Sequence, residues 1–213
     1  MALIEPNYTL DFVEGDRRDR AILRHMVLSL FVGMTLGVVG ALLAYGPELL
    51  YALYGPYVYI VFVVVVGRTA AGFGWAVLAS ALATFGSTIS LMAATIFASE
   101  TEFPVLGTDG AQVNLTIVIL ASIGVLSYLA KRADLGGDFA AGAAGGLAAL
   151  EAVDRSLPIG PGHVPGFWPW GALAVAVLVL GMIFTLRHGL GRVRGALIAL
   201  IVVSSYFVFV AGL

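Results

Sequence analysis

The chain has 213 residues, of which 60% are hydrophobic and only 11% charged, against roughly 45–50% and about 25% in soluble domains. Charge this sparse cannot cover a water-facing surface, which excludes an ordinary soluble enzyme or nucleic-acid-binding module; the formal net charge of −2 is less telling than how the charges are distributed along the chain. The absence of cysteine also excludes disulfides, thiol catalysis and thiolate metal sites.

Residues 1–24 read as a cytoplasmic N-terminal tail of mixed charge. Glu5, Asp11, Glu14, Asp16, Arg17, Arg18, Asp19, Arg20 and Arg24 leave no apolar core for a secretory signal. Asp16 stands where it can cap a helix leading into the first apolar run. Arg17, Arg18, Arg20 and Arg24 favour an anionic lipid surface, although determining topology is their simpler role.

From residue 25 onward the chain reads as one transmembrane helical domain, 25–213. A span needs about 20 mostly apolar residues, and seven segments qualify: 25–46, 49–67, 70–97, 113–130, 136–153, 168–186 and 195–213. The second contains Gly55-Pro56 and a β-branched run from Val58 to Val66. Such a run makes a strand in water, but a lone strand leaves its backbone unpaired in lipid, so a helix is expected. The fold class is therefore all-α, a polytopic transmembrane bundle of about seven spans.

The third segment carries Ser80, Thr84, Ser87 and Ser90 on one helical face. These hydroxyls provide either interhelical contacts, the simpler reading, or one wall of a polar pathway. Between the third and fourth segments lies an acidic loop, 98–112. The fifth segment is short and rich in Ala and Gly. Gly142 and Gly146, with Gly145 alongside, make a small-xxx-small face that lets a neighbouring backbone come close. At its outer end Glu151, Asp154 and Arg155 form either an ordinary interfacial charge group or an ion site at the mouth of the bundle. A proline- and glycine-rich loop, 154–167, follows. Tyr45, Tyr51, Tyr54 and Tyr57, with Phe167, Trp168 and Trp170, read as a belt at the outer membrane interface.

Basic residues set the orientation, because cytoplasmic loops collect Lys and Arg. With seven alternating spans and the N-terminus inside, the inner side holds Arg17, Arg18, Arg20, Arg24, Arg68, Lys131, Arg132, Arg187, Arg192 and Arg194. Only Arg155 falls outside, ten against one of the 11 basic residues. Removing the fifth span would move Arg187, Arg192 and Arg194 to the wrong side. The expected topology is N-terminus cytoplasmic, C-terminus outside.

Chemical motifs are sparse. The three histidines, His25, His163 and His188, are scattered, and no HExxH, GxSxG or Walker lysine occurs. No catalytic residue, cofactor or metal is assigned. Tyr57 to Thr88, with Gly67-Arg68 and then Gly72-Phe73-Gly74 before a small-residue helix, resembles membrane-embedded sensor regions of bacterial signalling proteins. That resemblance spans about thirty residues, and no signalling domain follows in the sequence.

The leading expectation is a non-enzymatic scaffold, accessory or sensory subunit, with the lipid bilayer and other membrane proteins or a second copy of itself as partners. The alternative is a small transporter or channel for a neutral or weakly charged solute. Localisation to the plasma membrane as a multi-pass protein is expected, and the Ala/Gly/Val/Arg usage suggests a bacterial or archaeal genome.

Overall fold

A computed structural model of the chain describes residues 7–98, 110–158 and 163–211. Among these, every regular element is helical: α1 (Asn7–Leu43), α2 (Glu48–Tyr54), α3 (Tyr57–Thr69), α4 (Phe73–Ala98), α5 (Gly110–Leu129), α6 (Leu135–Ser156), α7 (Trp170–Leu186) and α8 (Leu190–Ala211). Four stretches are long and apolar enough to cross a membrane: Arg17–Leu43, Glu48–Thr69, Phe73–Ala94 and Leu190–Phe209. Val113–Leu129 and Trp170–Leu186 are shorter apolar helices.

The β-branched run after Val58 is helical, because backbone groups bonded within one segment need no neighbour in lipid. Its helix is interrupted at Gly55-Pro56, where Pro56 has no N–H to donate; Gly55 N bonds back to Tyr51 O and Ile60 N to Pro56 O. The stretch Glu48–Thr69 is thus two helices, α2 and α3.

Two boundaries differ from the sequence expectation. First, α1 begins at Asn7, so Asp16 lies inside the helix and is no cap. Second, α8 begins at Leu190 and takes Arg192 and Arg194 into its opening turns. The core of the acidic 98–112 loop, residues 99–109, lies outside the described residues, as do 159–162 of the proline-rich loop.

Three seams hold the bundle together, each where small residues let two helices approach. On α1, a side chain at Gly37 would meet the Ser90 hydroxyl and the Ser87 carbonyl of α4. On α3, one at Gly67 would meet the Gly124 carbonyl of α5. On α6, a Cβ at Gly142 would stand 2.6 Å from Ile198 and one at Gly146 2.6 Å from Val202, both on α8. Lipid tails are as apolar as leucine, so van der Waals packing of this kind supplies much of the attraction between helices in a membrane.

Contact registers give the helix directions. Residue numbers rise together between α1 and α4 (Gly33 with Ala83, Gly37 with Ser87) and between α6 and α8 (Asp138 with Arg194, Gly146 with Val202, Asp154 with Tyr206). They run oppositely between α6 and α7, where Gly145 faces Ile183 while Gly137 faces Arg187. Similarly α4 and α5 are antiparallel, with Phe73 against Tyr128 and Ser80 against Gly124.

α6 is the most enclosed helix, with Ala140, Ala141, Ala144, Ala148 and its packing glycines all buried. α8 is the opposite case. Gly191, Gly195 and Ala199 are buried at four-residue spacing, while Leu197, Leu200, Ile201 and Phe209 are exposed.

The aromatic residues divide differently from a simple belt. Trp168 and Trp170 are exposed, at 68% and 73%, but Tyr57 and Phe167 are core residues. The Tyr54 hydroxyl donates to Leu36 O at 2.8 Å, and Tyr59 donates to the same carbonyl at 3.3 Å, fixing α2 and α3 against α1.

Candidate functional site at the two ends of α6

The first charged group forms where two turns meet. α5 ends at Leu129, and Asp134 caps α6, its carboxylate accepting from Gly137 N at 3.0 Å. Asp134 also pairs with Arg132 at 2.6 Å. One turn further, Asp138 is buried at 3% exposure. Arg187, buried just past the end of α7, forms an ion pair with the Asp138 carboxylate.

Arg187 also reaches the carbonyls that α5 and the following turn leave open. Its Nη1 donates to Ala130 O at 3.1 Å and to Arg132 O, and its Nη2 to Asp134 O at 3.3 Å. Arg194 reaches the other Asp138 oxygen at 3.4 Å from an exposed position on α8. A guanidinium at helix-terminal carbonyls and a carboxylate in a first helical turn both agree with the helix dipoles.

Space is tight here. A side chain on Gly137 would meet Arg132 O, and one on Gly191 would come within 2.6 Å of Asp138 Oδ1. Two guanidiniums and one carboxylate thus form a clamp between the α5–α6 turn and the α7–α8 turn.

The second group lies about 20 Å along α6, from the 1.5 Å rise per residue. Arg155 donates to Glu151 Oε1 at 3.0 and 2.9 Å and to Ala52 O of α2 at 2.9 Å. Asp154 turns the other way and accepts from the Tyr206 hydroxyl of α8 at 3.5 Å. The structure therefore joins Glu151 with Arg155, while Asp154 faces a different helix.

The hydroxyl face of α4 is buried throughout. Thr84 donates to Ser80 O at 2.8 Å, Ser87 to Thr84 O at 2.9 Å and Ser90 to Ser87 O at 3.1 Å. These bonds stay within α4. The buried Ser80 hydroxyl has no partner among the described residues and lies against Gly124 of α5.

No protein-family model, curated protein or solved structure matches this chain.

Gly142, Gly145 and Gly146 all serve packing, the first and third against α8 and Gly145 against Ile183 and Val179 of α7. Sequence reasoning gave no role to Asp138, which lies inside the fifth segment, and counted Arg187 only among the inner-side basic residues. One signal was present. Asp138 stands four residues before Gly142, on the same helical face as the small-residue pair, so a helix reaching back to Leu135 places it in the seam.

A third, smaller contact group closes the same end of the bundle. The His25 ring nitrogen and the Thr69 hydroxyl lie 2.9 Å apart, and Lys131 donates to Ala70 O at 2.8 Å while lying 4.6 Å from the Tyr128 ring centre. Burial, with the charge of Arg68 added, lowers the Lys131 pKa from its usual value.

Proposed function

We propose that this is a seven-span, multi-pass plasma-membrane protein, N-terminus cytoplasmic and C-terminus outside, which acts without catalysis as a scaffold, accessory or sensory subunit. Two observations support the topology: the ten-to-one division of basic residues and the directions of the packed helix pairs. α1, α4, α6 and α8 then run outward and α3, α5 and α7 inward.

The observation that carries the role is the close packing of the interior seams, where small side chains let neighbouring helices meet. Two grooves, about 420 and 410 Å³, lie at the surface, one between α7 and α8 with a lining that is apolar apart from Arg192, and one beside α3 with Leu36, Phe62 and Leu178 on its walls. The interior seams are filled by small side chains, and three of the four α4 hydroxyls close on their own backbone. Function is then expressed in the bilayer plane, through contacts of outward faces with partner membrane proteins or a second copy.

Crosslinking in native membranes, followed by purification in mild detergent, tests the role. A discrete crosslinked partner or self-assembly is expected. A protein that emerges alone, uncrosslinked and monomeric, refutes it.

One observation favours a second reading, a small transporter or channel for a neutral or weakly charged solute: the unpartnered Ser80 hydroxyl at the α4–α5 seam. Flux in liposomes that is abolished by Ser80→Ala, Thr84→Val and Ser87→Ala together would establish this reading in place of the first.

A further inference from the structure

We propose that the groove between α7 and α8 binds one anionic phospholipid, its phosphate held at Arg192 and an acyl chain lying along Val193, Leu197 and Leu200. The groove holds about 420 Å³, is walled on the other side by Leu180 and Phe184, and has Arg192 as its charged lining residue.

Arg192 is already held in place. Its Nε donates to Arg187 O at 3.0 Å, and its guanidinium carbon stands 5.0 Å from the Phe184 ring centre. Its two terminal amino groups have no partner among the described residues, leaving the bidentate edge that suits a phosphate.

Local charge demands an anion. Arg187 and Arg194 share one carboxylate, Asp138, and Arg192 has no acidic partner among the described residues, so three positive charges less one leave +2. Asp134 is engaged with Arg132. His188, beside Arg187, brings no negative charge. The start of α8 adds the positive end of its dipole, with no acid in its first turn. Basic pockets between helices on the cytoplasmic side are where anionic headgroups settle.

The groove follows α8 from Arg192 to Leu200, about 12 Å of helix, and apart from Arg192 every lining side chain is apolar. An acyl chain presents the matching apolar surface, and its headgroup then lies at Arg192.

The test uses the delipidated full chain in a neutral detergent, titrated with phosphatidylglycerol, with phosphatidylcholine of the same chains, or with inorganic phosphate. At about a hundredfold excess over the dissociation constant, phosphatidylglycerol is expected to raise the unfolding temperature by about 5–10 °C. The other two should give less than a third of that shift. Arg192→Gln is expected to weaken phosphatidylglycerol about tenfold, and Ala196→Phe, which fills the groove without changing charge, to do the same. If Arg192→Gln does not fold, Ala196→Phe and native mass spectrometry of the unaltered chain, which should retain one phosphatidylglycerol, decide the matter. Equal shifts from the two lipids, an equal shift from free phosphate, full affinity in the folded variants, or an acidic membrane protein found seated in the groove would each overturn the proposal.

Discussion

Asp138 and Arg187 are buried against each other, the carboxylate in the first turn of α6 and the guanidinium just past the last turn of α7. Because Arg187 also holds carbonyls of Ala130, Arg132 and Asp134, one side chain links three helix ends. Asp138 stands one turn before Gly142 on the face of α6 that meets α8, where Arg194 reaches it, so the charges set how the seam is aligned and the glycines set how closely it closes.

Removing one member of such a pair leaves the other charge buried. Asp138→Asn is expected to destabilise the protein by about 3–5 kcal/mol, measured by reversible unfolding in mixed detergent. Asp138→Asn with Arg187→Met should cost less than the sum of the two single changes. Arg194→Gln, with its side chain 53% exposed, should cost less than about 1 kcal/mol. Additive single losses would show that the two residues act independently.

The seams predict a contrast between glycines. At Gly67 an added methyl would overlap the Gly124 carbonyl of the neighbouring backbone, whereas at Gly181 of α7 nothing lies within 4 Å. Gly67→Ala is expected to cost about 1–3 kcal/mol or more through overpacking. Gly181→Ala should instead stabilise by about 0.5–1 kcal/mol, because alanine is the better helix former. Thermal unfolding of both variants in one detergent checks the opposite signs.

The apolar helices were legible in the sequence because each is a long run whose backbone has no alternative in lipid. The helix ends around Asp138 were not. Arg192 and Arg194 read as loop by hydropathy, yet they sit in α8 because Arg194 finds Asp138 and Arg192 lies against Phe184. Asp138, inside the fifth segment, drew no role because its burial depends on Arg187, 49 residues away (187 − 138). Tyr57 and Phe167 were invisible as core residues for the same reason, since an aromatic beside a span end looks interfacial until its neighbours are placed. By contrast, Gly142 and Gly146 needed only their four-residue spacing.

Hydroxyls that bond within their own helix contribute little across helices. Thr84→Val, Ser87→Ala and Ser90→Ala are each expected to change stability by no more than about 0.6 kcal/mol. A loss above about 2 kcal/mol for any one of them would mean that its hydroxyl holds a neighbouring helix and not only α4.

Acid should weaken the α6 cap. The Gly137 amide, and then the Arg132 side chain, hold the Asp134 carboxyl below its usual pKa. A carboxyl with a depressed folded-state pKa adds stability above its unfolded value and loses that stability as pH falls through the folded one. The unfolding temperature should therefore drop as pH is taken below about 4, and Asp134→Asn should flatten that part of the profile. An unchanged slope in the variant would assign the acid sensitivity to another group.

Membrane orientation is open to a clean test because the chain has no cysteine, so any single introduced thiol reports its own position. Ala133 and His188 lie exposed at the end of the bundle that holds the Asp138 clamp, and Tyr45 and His163 lie exposed near the end that holds Arg155. If basic loops face the cytoplasm, a membrane-impermeant maleimide applied to intact cells should label Tyr45→Cys and His163→Cys and spare Ala133→Cys and His188→Cys until the membrane is opened. The antiparallel packing of α6 on α7 makes 133 and 188 a matched pair, which must respond alike in either orientation. Labelling of one without the other would mean that one of α6 and α7 does not cross, and the one-sided placement of Arg187, Arg192 and Arg194 that supports seven spans would then fail.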